Sequence, residues 1–102
     1  MDRALQLLSL AQRAGKVASG EFKTEESVKT GQARLVIIAS DASDNTKKKF
    51  INMCEFYEVP IIEYSDKNSL GHFIGREFRA SVAVTDEGLA NKILALSEGN
   101  NQ

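Results

Sequence analysis

At 102 residues the chain can build one hydrophobic core but not two. It is 42% hydrophobic and 26% charged, a globular composition, and its formal net charge of −1 lacks the basic excess usual in a general nucleic-acid binder. No apolar run approaches the roughly 20 residues of a membrane span, the start reads as a helix with Asp2 and Arg3 rather than a secretory leader, and a lone Cys54 with a lone His72 excludes an internal disulfide and argues against zinc.

In chain order, residues 2–14 place Ala4, Leu7, Leu8 and Ala11 on one helical stripe, with Gly15 set to end it. "KVAS" is a short extended piece. Residues 21–30 predict a second helix, rich in charge and poor in apolar residues, between Gly20 and Gly31. "RLVIIAS" (34–40) is apolar on both faces, as a central strand under two helix layers should be. Asp41, Ser43 and Asp44 offer caps for a third helix through about Tyr57, whose inner stripe is read as Phe50, Ile51, Cys54 and Tyr57. "VPIIEY" (59–64) is a second strand, with Pro60 suiting a strand start or an edge. Ser65 or Asp66 caps a short helix through "NSLGHFIG", "ASVAVT" (80–85) is a third main strand, and Asp86 opens a last helix that can pack Leu89, Ile93, Leu94 and Leu96. The alternation predicts an α/β fold: a three-layer α-β-α sandwich around a mixed, largely parallel sheet of about four strands. One domain over 1–97 and a frayed tail over 98–102 are expected.

Catalytic chemistry finds no support. "GKVASG" imitates a phosphate loop, but Glu21 follows Gly20 where Lys and Ser or Thr are needed, and no GxGxxG is present. Asp41 is better read as a helix cap than as a phosphorylated carboxylate, since "KVAS" offers no acidic partners for magnesium. Glu25 and Glu26 are adjacent and diverge around their helix. His72 has no nucleophile to serve, and Cys54 on an apolar stripe reads as an inert core thiol.

Binding chemistry has more to stand on. In open α/β sheets ligands gather where strands end and helices begin. Three segments can meet at such an end: Gly20 to Glu26, Ser40 to Ser43 including Asp41, and Gly75 to Ala80. In the last, Arg76 and Arg79 flank Phe78, two phosphate-binding forks beside a stacking surface. The plain alternative turns Phe78 inward and leaves the arginines solvated. Gly20 permits close backbone approach, and the first-turn amides after it can hold an anion or a base edge. Phe22 and Lys23 lie on that turn; Phe22 either stacks on a base or folds back as a hydrophobic staple. "TKKK" (46–49) adds positive charge near the third helix, or is simply a solvated face.

The stretches "LLSLAQRAGKVASGE", "ARLVIIASDAS", "LGHFIG" and "SVAVTD" resemble the bacterial YlxQ-type branch of the L-seven-Ae ribosomal protein family, from about Leu5 to Leu94. The resemblance implies an α-β-α sandwich binding kink-turn or related structured RNA, ribosomal RNA among the candidates, without catalysis or cofactor. It implies an RNA surface over Gly20, Glu21, Phe22, Lys23, Glu26, Asp41, Arg76, Phe78, Arg79 and Ala80. Kink-turn readers in that family carry an Asn-Glu pair and then a Lys three residues on. Here those positions hold Phe22, Lys23 and Glu26, an aromatic for an amide, a cation for an acceptor and an acid for a cation, so kink-turn specificity is not carried over. The expectation is a cytoplasmic, monomeric, non-enzymatic RNA binder open to a protein partner. The alternative, motivated by Glu21, Glu25 and Glu26, is a protein-interaction module on the same scaffold that has lost RNA recognition.

Overall fold

Asp2 accepts the Leu5 N–H at 3.0 Å and starts α1 (Arg3–Arg13), which ends at Ala14 and Gly15, the latter at φ +73. The computed structural model describes residues 2–99. Edge strand β1 (Val17–Ser19) follows, then α2 (Glu21–Lys29), β2 (Leu35–Ile38), α3 (Asp44–Tyr57), β3 (Ile61–Glu63), α4 (Lys67–Phe73), β4 (Ser81–Val84) and α5 (Glu87–Gly99). Strands β2 and β4 are buried along their whole length, as the unbroken apolar run of β2 requires, and β4 takes the polar Ser81 inside with it. Helices α1, α4 and α5 form one layer and α2 with α3 the other.

The four-stranded mixed sheet has the order β1-β4-β2-β3. β2 and β3 pair in parallel, with Val36 opposite Ile61, whereas β4 pairs antiparallel with both neighbours, Ser19 facing Val82 on one side and Ile38 facing Ser81 on the other. The expected parallel character therefore describes strand direction better than pairing. β1, β2 and β3 all run the same way, as helix crossovers between them dictate. β4 inserts between β1 and β2 pointing the other way, because the seven-residue α4 does not return the chain to the sheet's opposite end.

Two expectations for α3 need correction. Ile51 and Tyr57 are exposed, and the buried residues of the helix are Phe50 and Cys54, with Met53 half-buried. The sheet beneath α3 ends at the short strand β3, so the helix has less to cover than its apolar residues suggest. Nor does Asp41 cap α3: Ser43 does, its Oγ accepting the Thr46 N–H at 3.1 Å. Burial pushes the Cys54 thiol up to about 11, so it stays protonated and inert. α5 packs Ala90 and Ile93 inward and continues through Gly99, two residues into the expected tail, the rest of which lies outside the described residues.

Candidate nucleic-acid interface

The inserted β4 decides where the loops meet. Because it opposes its neighbours, the ends of β1, β2 and β3 and the beginning of β4 lie at one edge of the sheet. Backbone hydrogen bonds fasten them: Gly20 N–H to the Ser81 carbonyl at 3.0 Å, Ala39 N–H to the Ala80 carbonyl at 2.9 Å, and Ser40 N–H to the Ser65 carbonyl at 2.8 Å. Asp41 works across this edge, accepting the Lys67 N–H at 2.9 Å and so capping the start of α4 rather than α3. Gly20 and the segments 40–43 and 75–80 thus lie at one end of the sheet.

Arg79 is the hinge of the corner. Its Nε–H donates to Ser19 Oγ at 3.3 Å and its Nη1 donates to the Phe78 carbonyl at 2.8 Å. A Cβ on Gly20 would lie 3.8 Å from that Nε, so the guanidinium lies against the Gly20 backbone. Gly20 has φ +91 and ψ 162, a conformation open essentially only to glycine, and makes no side-chain cap. The chain therefore enters α2 with a bare helix start beside a fixed cation.

Both aromatics face solvent. Phe22 is 74% exposed and Phe78 55%, so neither the staple over α2 nor the inward Phe78 is realised. Arg76 is also exposed, on the same loop. What holds that loop is Gly71, inside α4: the loop backbone packs directly on it, and an added Cβ would sit 2.4 Å from Phe78 Cα and 2.8 Å from Glu77 C. The Gly71 carbonyl also accepts the Arg76 N–H at 2.8 Å. A mid-helix glycine is the signal for such close approach.

Two of the three acids of α2 are paired. Lys49 reaches from α3 to Glu21 at 3.0 Å and to Glu25 at 2.7 Å, and Glu25 also takes Lys29 at 2.7 Å. Hydrogen bonds from Lys29 and then Lys49 lower the Glu25 pKa from 4.5 to about 2. The group is protonated more easily in the unfolded chain than in the fold. Its pairing therefore contributes fully above 4.5 and is lost as the pH falls toward 2. The melting-temperature gap between the wild type and Glu25→Gln is expected to be constant near neutrality and to close across that window. A gap independent of pH would show the pairing to be idle.

Lys23 and Glu26, both exposed, stand apart from the Arg79 corner in a shallow groove beside β1 that Val17, Ala18 and Gln32 also line. Glu26 has no ion-pair partner among the described residues. The "TKKK" run is partly consumed internally, with Lys47 on Glu63 at 3.3 Å and Lys49 on α2, leaving Lys48 exposed. Sequence reasoning missed Ser19 and Gly71, and took Lys49 only as part of the "TKKK" run and not as the partner of Glu21 and Glu25. Only Gly71, a glycine within a helical run, carried a local mark. No group of three or more metal-binding side chains occurs among the described residues, and no described helix is long and apolar enough to cross a membrane.

Comparison with known proteins matches residues 2–94 to a family model described as the ribosomal protein L7Ae/L30e/S12e/Gadd45 family. The chain is 46% identical over 90 residues to the RNA-binding protein YlxQ of Bacillus subtilis, spanning 88% of this chain and 90% of that one. It is 32% identical to the large ribosomal subunit protein eL8 of Thermoplasma volcanium, over 85% and 73% of the two chains. Among solved structures, a Bacillus halodurans protein of unknown function superposes with a TM-score of 0.93 at 37% identity, covering 96% of this chain and 99% of that one. A 15.5 kD RNA binding protein of Giardia lamblia superposes at 0.79 over 93% and 84% of the chains, and at 24% identity it speaks for the fold alone.

Proposed function

The chain belongs to the ribosomal protein L7Ae/L30e/S12e/Gadd45 family, and on that premise we propose that it is a non-enzymatic, cytoplasmic RNA-binding protein whose single unit over 1–97 grips structured RNA at the Gly20 corner. The observation that carries this reading is Arg79, anchored by Ser19 and the Phe78 carbonyl so that a fixed cation lies against the bare start of α2. Lys49 answers Glu21 and Glu25, which weakens the charge argument for a protein-interaction module that has lost its RNA reader and leaves it resting on Glu26.

In this arrangement the first-turn amides after Gly20 take a base edge or phosphate, and Arg76 and Arg79 take phosphates. Phe22 and Phe78 stack on unpaired bases. Asp41 and Ala80 serve by fixing the loops, Asp41 through Lys67 and Ala80 through Ala39. Glu26, exposed and unpaired, repels a phosphate where kink-turn readers present a lysine, so the RNA is related to a kink-turn in being structured and bulged but is read through stacked bases. Ribosomal RNA is the first class to test, given the ribosomal relatives.

The test is binding to a panel of bulged and fully paired RNA hairpins over a range of salt. Affinity should fall linearly on logarithmic axes, and Arg76→Ala with Arg79→Ala should flatten the slope by about one per arginine. Salt-independent binding, or a slope unchanged in the double variant, would remove the arginines from the interface.

A further inference from the structure

The α1/α5 layer carries a feature that RNA binding does not use. A groove of about 630 Å³ runs between the two helices, with Leu7, Leu10 and Leu96 in its walls and Arg3, Arg13 and Lys92 around it. Leu10 is 45% exposed, although α1 has ample polar residues for its outer face. Arg3, Leu7, Leu10 and Arg13 fall at i, i+4, i+7 and i+10, a single stripe with apolar residues in the middle and a cation at each end. Among the described residues no carboxylate lines the groove, and none of the three cations forms an ion pair.

We propose that this groove docks an acidic amphipathic helix of a partner protein. Leucine-type side chains of such a helix would cover Leu7, Leu10 and Leu96, while its carboxylates meet Arg3, Arg13 and Lys92. The spacing sets the match: Arg3 and Arg13 are separated by about 15 Å along α1, so the complementary carboxylates lie about three helical turns apart. The apolar walls and the lack of an aromatic side chain favour a protein over a nucleic acid, which would want stacking surfaces. The groove belongs to the helix layer opposite α2, so an occupant leaves the Gly20 corner open, and one molecule can hold RNA and a protein together. This assignment does not depend on the RNA reading.

The probe is a fluorescein-labelled helical peptide of about three turns, with leucines on one face flanked by glutamates. Anisotropy is expected to show saturable binding with a Kd on the order of tens of micromolar, and Leu10→Glu to raise it at least about tenfold. The pair Arg13→Glu and Lys92→Glu should lose the acidic peptide and gain its lysine counterpart, a swap that a folding defect cannot mimic. Amide shifts should map to α1 and α5. Four outcomes overturn the proposal: no saturation at millimolar peptide, equal binding of a scrambled peptide, displacement of the peptide by a hairpin RNA competing for the same amides, or a wild-type dimer in sedimentation that Leu10→Glu dissociates.

Discussion

Gly71→Ala is expected to lower the melting temperature by on the order of 10 °C and to abolish tight RNA binding. In an isolated helix the same exchange would be favourable by about 1 kcal/mol. Here the added carbon would lie 2.4 Å from Phe78 Cα and 2.7 Å from Phe78 N, and main chain cannot swing aside as the end of a side chain can. Overpacking of this kind costs about 1–3 kcal/mol, sometimes more, and each kcal/mol moves the melting point of a domain this size by about 4–8 °C. The alternative relaxation lifts residues 75–79 off α4. That would soften the thermal effect but carry Arg76, Phe78 and Arg79 out of register with Gly20. Calorimetry and RNA titration together catch either route. Gly88→Ala in α5, whose new carbon meets only the Asp86 carboxylate at 3.4 Å, should stay within about 1 kcal/mol of the wild type. A Gly71→Ala protein as stable and as tightly bound as the parent would refute the close packing of that loop.

Removing both exposed aromatics of the corner, Phe22→Ala with Phe78→Ala, is expected to weaken RNA binding by on the order of a hundredfold or more, since base–aromatic stacking contributes about 1–3 kcal/mol for each base. Their exposure means the fold should lose no more than about 0.5 kcal/mol. Stacking involves no counterion, so the salt slope should stay put while the dissociation constant rises, the reverse of the arginine variants. Phe56→Ala supplies the control. That ring is 79% exposed, but it sits at the far end of α3, about 20 Å from where the helix leaves the corner. If Phe56 proved as important as the pair, or the pair proved silent, stacking at this corner would be wrong.

Much of this architecture was readable from residue pattern. The both-sided apolar run of β2, the strand at β4, the glycines bounding α1 and α2, and the Asp86 cap each follow from local physics, and of Ser65 and Asp66 the structure takes Asp66 as the cap of α4. Strand insertion was not readable, because nothing local to "SVAV" says which neighbours it will choose. The same limit explains Ile51 and Tyr57: helical periodicity reports which residues share a face, not how far the sheet beneath extends. At the corner, the composition of "GREFRA" and the bare Gly20 pointed to the place. The ion pairs that tame its acids depend on Lys49, 28 residues from Glu21 in the chain, and no short-range pattern reveals them.

The placement of β4 also bears on synthesis. Ser19 is opposite Val82, and the carbonyl that receives the Gly20 amide belongs to Ser81, so the middle of the sheet is the last strand to be translated. Until then the place between β1 and β2 is unfilled, and the apolar side chains of β2 lack one of their two neighbouring strands. Closing it requires contacts across some sixty residues of sequence, which slows folding relative to a helical bundle of equal length. The sheet can therefore close only once residues 81–84 have left the ribosome, and the loops that β4 fastens at the Gly20 corner come together no earlier.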